Sequence, residues 1–134
     1  MKKIVINSNP QNLIIDFDEV LYITTFRKKV LIVKLSGEEK ILNISLGELY
    51  EKIEPMGFIR CHKSFIVNID YIESFNKAIC TLKNKVDVPL GRQYYKNFKK
   101  VIYNQWFERV FINTKMLDLC KNINQMERRL RNRS

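Results

Sequence analysis

Residues 58–75 constrain the fold more tightly than any other segment of the chain. Their sequence, FIRCHKSFIVNIDYIESF, opens with an alternation of residue types that predicts a β-strand. One side of this strand would carry Phe58, Arg60 and His62, and only the opposite side would be apolar. A nearly unbroken apolar run then begins at Phe65, which predicts a second, buried strand.

Asn68 interrupts the apolar run that begins at Phe65. A polar group that is buried without a hydrogen-bond partner costs about 1–3 kcal/mol, so a buried Asn68 has to be satisfied. Asparagine side chains bond readily to nearby backbone groups. We therefore expect the Asn68 amide to bond neighbouring backbone groups and to fix a bend in the chain.

The rest of the chain up to residue 89 has the pattern of short strands. Apolar and β-branched segments alternate with turn residues, and this pattern predicts about nine or ten strands in all. The intervals between them are short, which favours antiparallel pairing over an alternation of strands and helices. The predicted strands outside 58–75 are 1–6, 12–17, 20–25, 30–35, 39–44, 78–82 and 86–89.

Two helices are predicted up to residue 111, and a third is predicted to begin near Asn113 and Thr114. Ser45 and Glu48 form a capping-box pattern at the start of a short helix, and the turn at residues 55–57 ends it. A second, amphipathic helix begins near Tyr94, since apolar residues recur there at intervals of three and four. Its apolar positions are Phe98, Val101, Ile102, Trp106, Val110 and Phe111.

The charge balance points to a polyanionic partner. The chain contains 24 Lys and Arg residues against 14 Asp and Glu residues, which gives a formal net charge of +10. Such an excess attracts nucleic acid or an anionic membrane surface. No apolar run approaches the roughly 18 residues of a membrane-spanning helix, and the sequence predicts a cytoplasmic protein.

Catalytic and metal chemistry find little support in the sequence. One histidine and three scattered cysteines lack the spacing of a zinc site, and the four glycines form no phosphate-binding loop. Aromatic residues do not have the spacing of an RNA-stacking platform. We therefore predict no enzymatic activity, no metal, no cofactor and no small-molecule substrate. We expect the three cysteines to be buried; they are Cys61, Cys80 and Cys120.

Fixed residue types occur at fixed offsets in the segment described first: Phe58, Arg60, His62, Ser64, Phe65, Ile66, Val67, Asn68, Tyr71 and Ile72. This pattern resembles the signature of the LytTR family of bacterial DNA-binding domains. The resemblance extends over roughly residues 5–103, and we predict a DNA-binding domain at residues 1–103. It implies a mainly β, elongated fold of small antiparallel sheets with one short helix. It also implies sequence-specific binding of double-stranded promoter DNA, at paired sites, by a transcription regulator.

The resemblance further implies that loops enter the major groove of DNA. In the connection 25–29, Lys29 takes the position of a base contact, and the two cations before it face phosphates. Lys63 takes a second contact position, where some relatives have an amide. A third lies at the start of the C-terminal helix, where Arg92 and Gln93 both remain candidates. The implied DNA-binding residues are Arg27, Lys28, Lys29, Lys63, Ser64, Arg92 and Gln93.

The signature residues Phe58, Arg60, His62 and Asn68 have a structural interpretation. They lie within the predicted strands, so we expect them to shape the adjoining loop by packing and hydrogen bonding. Cys61 lies beside the same loop, which raises the hypothesis that oxidation of its thiol displaces the loop and weakens DNA binding.

Residues 104–134 extend beyond the resemblance and are predicted to form a basic, amphipathic, helical extension. We expect no phosphoacceptor receiver domain before the DNA-binding domain, and we therefore expect control of the protein to come from elsewhere. One hypothesis makes the chain an interaction module whose extension mediates a homodimer or docks onto an inhibitory regulatory protein, at the membrane or elsewhere. The other is that the extension only covers an open side of the sheets.

Overall fold

The computed structural model describes residues 2–8 and 10–105, about half of which lie in β-strands. The strands are β1 Lys3–Ser8, β2 Gln11–Asp16, β3 Val20–Phe26, β4 Lys29–Lys34, β5 Glu39–Leu42, β6 Phe58–His62, β7 Phe65–Asn68, β8 Ile72–Phe75, β9 Ile79–Leu82 and β10 Val86–Pro89. The helices are α1 Leu46–Ile53 and α2, residues 92–105. The predicted mainly β fold is confirmed. Residues 106–134 of the predicted extension lie outside the described residues.

The strands form three antiparallel sheets. A two-stranded sheet has the order β1-β2, a five-stranded sheet has the order β5-β4-β3-β7-β6, and a three-stranded sheet has the order β10-β9-β8. Strand β3 is thus hydrogen-bonded both to β4, its neighbour in sequence, and to β7, which lies about forty residues further along. The antiparallel pairing is the one that the strand spacing predicts, and the division into small sheets is the one that the resemblance implies.

The five-stranded sheet and α1 enclose the main core. The buried face of α1 consists of Leu46, Leu49 and Ile53. These side chains belong to one cluster with strand residues such as Ile23 and Ile66, which are fully buried. Full burial of a side chain of this size contributes about 1.5–3 kcal/mol. The β1–β2 hairpin adds its inner face to the same cluster.

Helix α1 begins with the predicted cap. Ser45 Oγ accepts a hydrogen bond of 3.2 Å from the backbone N–H of Glu48, which satisfies one of the unpaired amides at the helix start. The chain leaves α1 through a short 3-10 turn, Glu54–Met56, that contains Pro55. Gly57 follows with φ of +92°, a left-handed conformation that glycine adopts without steric strain.

Strand β6 is covered on both faces, so the expectation of a single apolar face is wrong. Phe58 and Cys61 are at most 2% exposed. The Phe58 ring packs edge-on against Phe17, with ring centroids 5.9 Å apart, while Cys61 Sγ donates to the carbonyl of Pro89 at 3.5 Å. Alternation along one strand could not indicate that a second layer covers its outer face.

A bulge in β6 also separates His62 from Arg60, which were expected to share a side. The pairing of β6 with β7 shifts in register between these two residues. Arg60 lies opposite Ile66, a core residue, whereas His62 lies opposite Phe65. The rings of His62 and Phe65 meet edge to face, with centroids 5.9 Å apart.

Asn68 makes the predicted bond to a neighbouring backbone group and, in addition, one to a strand that is distant in sequence. The side chain is fully buried, and its Nδ2 donates to the carbonyl of Val20 at 2.9 Å. Its Oδ1 accepts from the backbone N–H of Asp70 at 3.1 Å, at the start of the 3-10 turn Ile69–Tyr71. Asn68 therefore fixes the bend after β7 and ties it to the start of β3.

Replacing Asn68 with alanine should lower the free energy of unfolding by about 3 kcal/mol, because a buried carbonyl and a backbone N–H both lose their partner. Urea-induced unfolding measures this change. The matched control is Asn76→Ala. The Asn76 Oδ1 also accepts from two backbone N–H groups, each at 2.8 Å, but it is exposed. Water can replace those bonds, so the loss should stay below about 1 kcal/mol. Equal losses would contradict the role of burial.

Candidate nucleic-acid interface

The connection between β3 and β4 is a two-residue turn made of cations. Phe26 pairs with Lys29, which leaves Arg27 and Lys28 at the tip with φ of +49° and +65°. Two-residue hairpin turns in this conformation favour Asn-Gly, and other residues incur about 1–2 kcal/mol each in the left-handed region. The strained turn places both charges at the exposed tip of the hairpin.

Arg60 and His62 hold the β6–β7 turn from within. The Arg60 guanidinium donates from Nη2 to the Lys63 carbonyl at 2.5 Å and from Nε to the His62 carbonyl at 3.4 Å. The Ser64 backbone N–H donates to His62 Nδ1 at 3.1 Å, so the proton of the neutral imidazole is assigned to Nε2. The shape of the turn is thus fixed by bonds from the Arg60 and His62 side chains to the backbone of residues 62–64. The Lys63 side chain takes no part in these bonds and is exposed at the tip of the turn.

The two turns lie side by side at one end of the five-stranded sheet. The carbonyl of Ser64 accepts a hydrogen bond from Thr24 Oγ1 at 2.8 Å and another from the backbone N–H of Thr25 at 3.2 Å. Both threonines belong to the last part of β3, just before the β3–β4 turn. The pairing of β3 with β7 therefore brings the two turns together although they are distant in sequence.

The start of α2 joins the same end of the sheet. The Gly91 N–H donates to the carbonyl of Cys61 at 2.7 Å, and a cleft of about 150 Å³ lies between the β6–β7 turn and the helix start. The first backbone N–H groups of a helix lack helical partners and favour an anion. A Cβ atom at Gly91 would lie 3.1 Å from Tyr94 Cδ2, so glycine suits this close junction. The cleft is lined by His62, Lys63, Gly91, Arg92, Gln93 and Tyr94.

We call residues 26–29, 63–64 and 91–93 the cationic edge. It brings together all seven residues that the resemblance marks for DNA binding, although their contact with DNA stays a prediction. Gln93 is exposed and Ser64 is half-buried. None of the five cations is ion-paired with another described residue, so their charge is available to an external anion. The exposed cations are Arg27, Lys28, Lys29, Lys63 and Arg92.

A fourth connection, the β8–β9 turn, adjoins the cationic edge. The Leu90 N–H donates to the carbonyl of Ala78 at 2.8 Å, and Lys77 is exposed in the same turn. Sequence reasoning indicated the turn but did not group Lys77 with the predicted contacts. The register of β9 against β10, in which Ile79 pairs with Pro89, brings the turn to this edge, and the sequence carries no signal for that register.

Cys61 and Cys80 are fully buried, as the sequence predicts. Burial raises the pKa of each thiol to about 12. Because the thiolate is the reactive form of cysteine, a thiol with this pKa is unreactive near neutral pH. The structure therefore gives no support to oxidation of Cys61 as a control of DNA binding. Cys120 lies outside the described residues.

Two further properties concern only the described part of the chain, residues 2–8 and 10–105. No helix there combines the length and the apolar character needed to cross a membrane. No group of three or more histidine, cysteine or acidic residues there could hold a metal ion.

Comparison with protein families matches residues 11–103 to the LytTr DNA-binding domain. The transcriptional regulatory protein YpdB of Escherichia coli O6:H1 is 28% identical over 89 residues, which cover 62% of this chain and 36% of YpdB. The sensory transduction protein LytT of Bacillus cereus is 28% identical over 107 residues, which cover 76% of this chain and 43% of LytT. The chain thus spans less than half the length of these curated relatives.

A solved structure of a LytTr DNA-binding domain from Bacillus cereus has a similar fold. The TM-score is 0.62 at 23% sequence identity, and the match covers 76% of this chain and 97% of that one. At this identity the likeness concerns the fold, and it confirms the arrangement of small antiparallel sheets that the resemblance implied.

The strain in the β3–β4 turn should be separable from its function. Replacing Arg27 with Asn and Lys28 with Gly should raise the free energy of unfolding by about 1–2 kcal/mol, because the pair suits the left-handed turn. If Arg27 and Lys28 neutralise phosphates, as the resemblance implies, the same double variant should bind duplex DNA about tenfold more weakly. Thermal unfolding and fluorescence anisotropy measure the two effects.

The control for this variant is Lys85→Gly in the β9–β10 turn, where Lys85 also has a left-handed conformation, with φ of +58°. That turn lies at the opposite end of β4 from the cationic edge, since Asn84 Nδ2 donates to the Leu35 carbonyl at 3.1 Å. Lys85→Gly should stabilise the fold without weakening DNA binding. Equal weakening by both variants would mean that the position of the charge is irrelevant.

Proposed function

Because the chain belongs to the LytTR family of DNA-binding domains, we propose that it regulates transcription by binding a specific promoter sequence through the cationic edge. Its curated relatives include proteins named as transcriptional regulators, YpdB and BtsR. The observation that carries the proposal is the convergence of three exposed cationic connections at one end of a hydrogen-bonded β scaffold. Double-stranded DNA is the polyanion that suits such a surface.

The connections are held in place before DNA arrives. The Ser64 carbonyl accepts a hydrogen bond from the Thr24 hydroxyl, and the Gly91 N–H donates one to the Cys61 carbonyl. Each connection is therefore fixed relative to the next. Loops that are already ordered lose little conformational freedom on binding, and more of the interaction energy remains as affinity. The surface is therefore suited to recognising one DNA geometry.

The β3–β4 hairpin is the element proposed to enter the major groove, which is about 12 Å wide and admits a two-stranded β-ribbon. Lys29 would donate to guanine O6 or N7 on a base edge. Arg27 and Lys28, at the tip, would neutralise phosphates and so fix the orientation of the ribbon on the duplex.

The other two connections extend the contact along the duplex. Lys63 is assigned to a base edge or a phosphate, and as a point donor it discriminates less sharply than the planar fork of an arginine. At the start of α2 the exposed backbone amides favour a phosphate, and Arg92 or Gln93 adds a side-chain contact.

Binding should be specific and strongly dependent on salt. With about six phosphate contacts, affinity for the preferred duplex should fall about a thousandfold between 50 and 200 mM salt. Lys63→Ala should relax the preference at one base position by about tenfold if Lys63 contacts a base. If it contacts a phosphate, binding should weaken evenly across sequences, and the salt slope should fall by about one. Anisotropy titrations on a duplex selected from a random pool measure both.

Lys83→Ala is the control for Lys63→Ala, because it removes the same charge from the far end of the fold. Lys83 belongs to the β9–β10 turn, and its ammonium lies 5.4 Å from the centroid of the Tyr71 ring. Its removal should leave both the preference and the salt slope unchanged. Equal affinity of the native chain for every duplex would overturn the proposal of sequence-specific regulation.

We further propose where the protein acts, how its DNA sites are arranged and what the extension does. We place the site of action in the cytoplasm, where promoter DNA is accessible, with binding at paired sites and no catalytic role. The DNA-binding domain is proposed to end at residue 103, where the family match ends. The extension 104–134 is assigned to contacts with a second copy or with a regulatory protein, because its sequence combines cations with an apolar stripe.

A chain ending at Tyr103 tests the role assigned to the extension. Sedimentation should find that the full chain self-associates and that the shortened chain does not, while both prefer the same single DNA site. Circular dichroism and thermal unfolding verify that the shortened chain is folded. Identical monomers for the two chains would exclude dimerisation through the extension.

A further inference from the structure

Phe26 is an exposed aromatic residue within the cationic edge. It is the last residue of β3, and its side chain remains 40% exposed. Full burial of a phenylalanine contributes about 1.5–3 kcal/mol, and this ring forgoes part of that gain. The Arg27 guanidinium lies 5.3 Å from its centroid, so the ring sits among cations rather than in the core.

The register of the sheet fixes where the ring lies. Phe26 is directly opposite Lys29 on β4, and cross-strand partners share a face with Cβ atoms about 4.5–5.5 Å apart. Thr24, two residues earlier and hence on the same face, pairs with Phe65 of β7. The Phe26 ring therefore stands beside the Lys29 side chain, on the face of the sheet that also carries Phe65.

We propose that the Phe26 ring contacts the 5-methyl group of a thymine in the major groove, next to the base that Lys29 contacts. This inference rests on the proposed function, in which the β3–β4 hairpin enters that groove. The thymine methyl is the apolar group exposed there, and phenylalanine is one of the side chains that contact it. A lysine and a phenylalanine side by side would recognise neighbouring base pairs, a guanine through hydrogen bonds and a thymine through its methyl group.

A different role for Phe26 would be to position Arg27 through the contact between ring and guanidinium. The two roles differ in one measurable property. A ring that only positions Arg27 contributes equally to binding of thymine and of uracil, because the phosphate is the same in both. A ring that contacts the methyl group distinguishes them, since uracil lacks only that group.

The test uses the full chain and the duplex recovered by selection from a random pool. Each thymine is replaced in turn by deoxyuridine, and the dissociation constant is measured by anisotropy for the native chain and for Phe26→Ala. The native chain should lose about fourfold in affinity at one position, the factor that corresponds to burial of one methyl group. Phe26→Ala should bind the thymine and uracil duplexes equally at that position, and Phe26→Leu should retain part of the preference.

The control is Ile14→Ala, which removes an apolar side chain that is 71% exposed from the two-stranded sheet. It should keep the full preference for thymine. Thermal unfolding verifies that each variant is folded. If Phe26→Ala does not fold, Phe26→Leu takes its place in the comparison of thymine and uracil duplexes.

Two results overturn the inference while leaving the proposed function intact. One is a selected duplex that the native chain binds with no position sensitive to the thymine methyl. The other is a preference for thymine that persists in Phe26→Ala while its binding to both duplexes weakens equally, which would make Phe26 a positioning residue for Arg27. Failure of the native chain to prefer any duplex would overturn both proposals together.

Discussion

The pairing of β3 with β7 is the contact on which the rest of the structure depends. Only three residue pairs form it, yet side chains secure it at both ends. Asn68 bonds to the carbonyl of Val20 at one end, and Thr24 bonds to the carbonyl of Ser64 at the other. A slip of one residue would reverse every side chain on β7 and break both bonds. The buried amide in the core and the alignment of the two turns at the surface are therefore enforced by the same strand pair.

Much of the fold can be predicted from the sequence because its signals are local. Short apolar segments between turn residues locate the strands, and the Ser45 cap locates the start of α1. The bulge in β6 could not be predicted, because it depends on how Arg60 and His62 bond to the turn that follows them. The burial of Phe58, on the side of β6 that was not expected to be apolar, was also outside the reach of alternation, because the Phe17 ring that packs against it is remote in sequence.

For the candidate interface, the sequence identified the connections but not their convergence. The resemblance marked Lys29, Lys63 and the start of α2, whereas their proximity follows from sheet order, which composition does not encode. The role of Phe26 was missed for a related reason: the sequence places it in the connection between the predicted strands 20–25 and 30–35, where nothing distinguishes an exposed ring from one that packs on the core. Its exposure becomes apparent only when the hairpin is seen to extend beyond the core. The left-handed backbone at Arg27 is a further property that a cationic sequence gave no reason to expect.

The way the β6–β7 turn is built has a consequence for how such proteins diversify. The Arg60 guanidinium donates a hydrogen bond to the backbone carbonyl of residue 63 and makes none to its side chain. The backbone N–H of Ser64 donates to His62 Nδ1. Any amino acid with ordinary backbone preferences can therefore occupy position 63 while the scaffold remains unchanged. If residue 63 contacts a base as proposed, a single mutation there would change the preferred operator with little risk of misfolding, and paralogues could acquire separate target genes by small evolutionary steps.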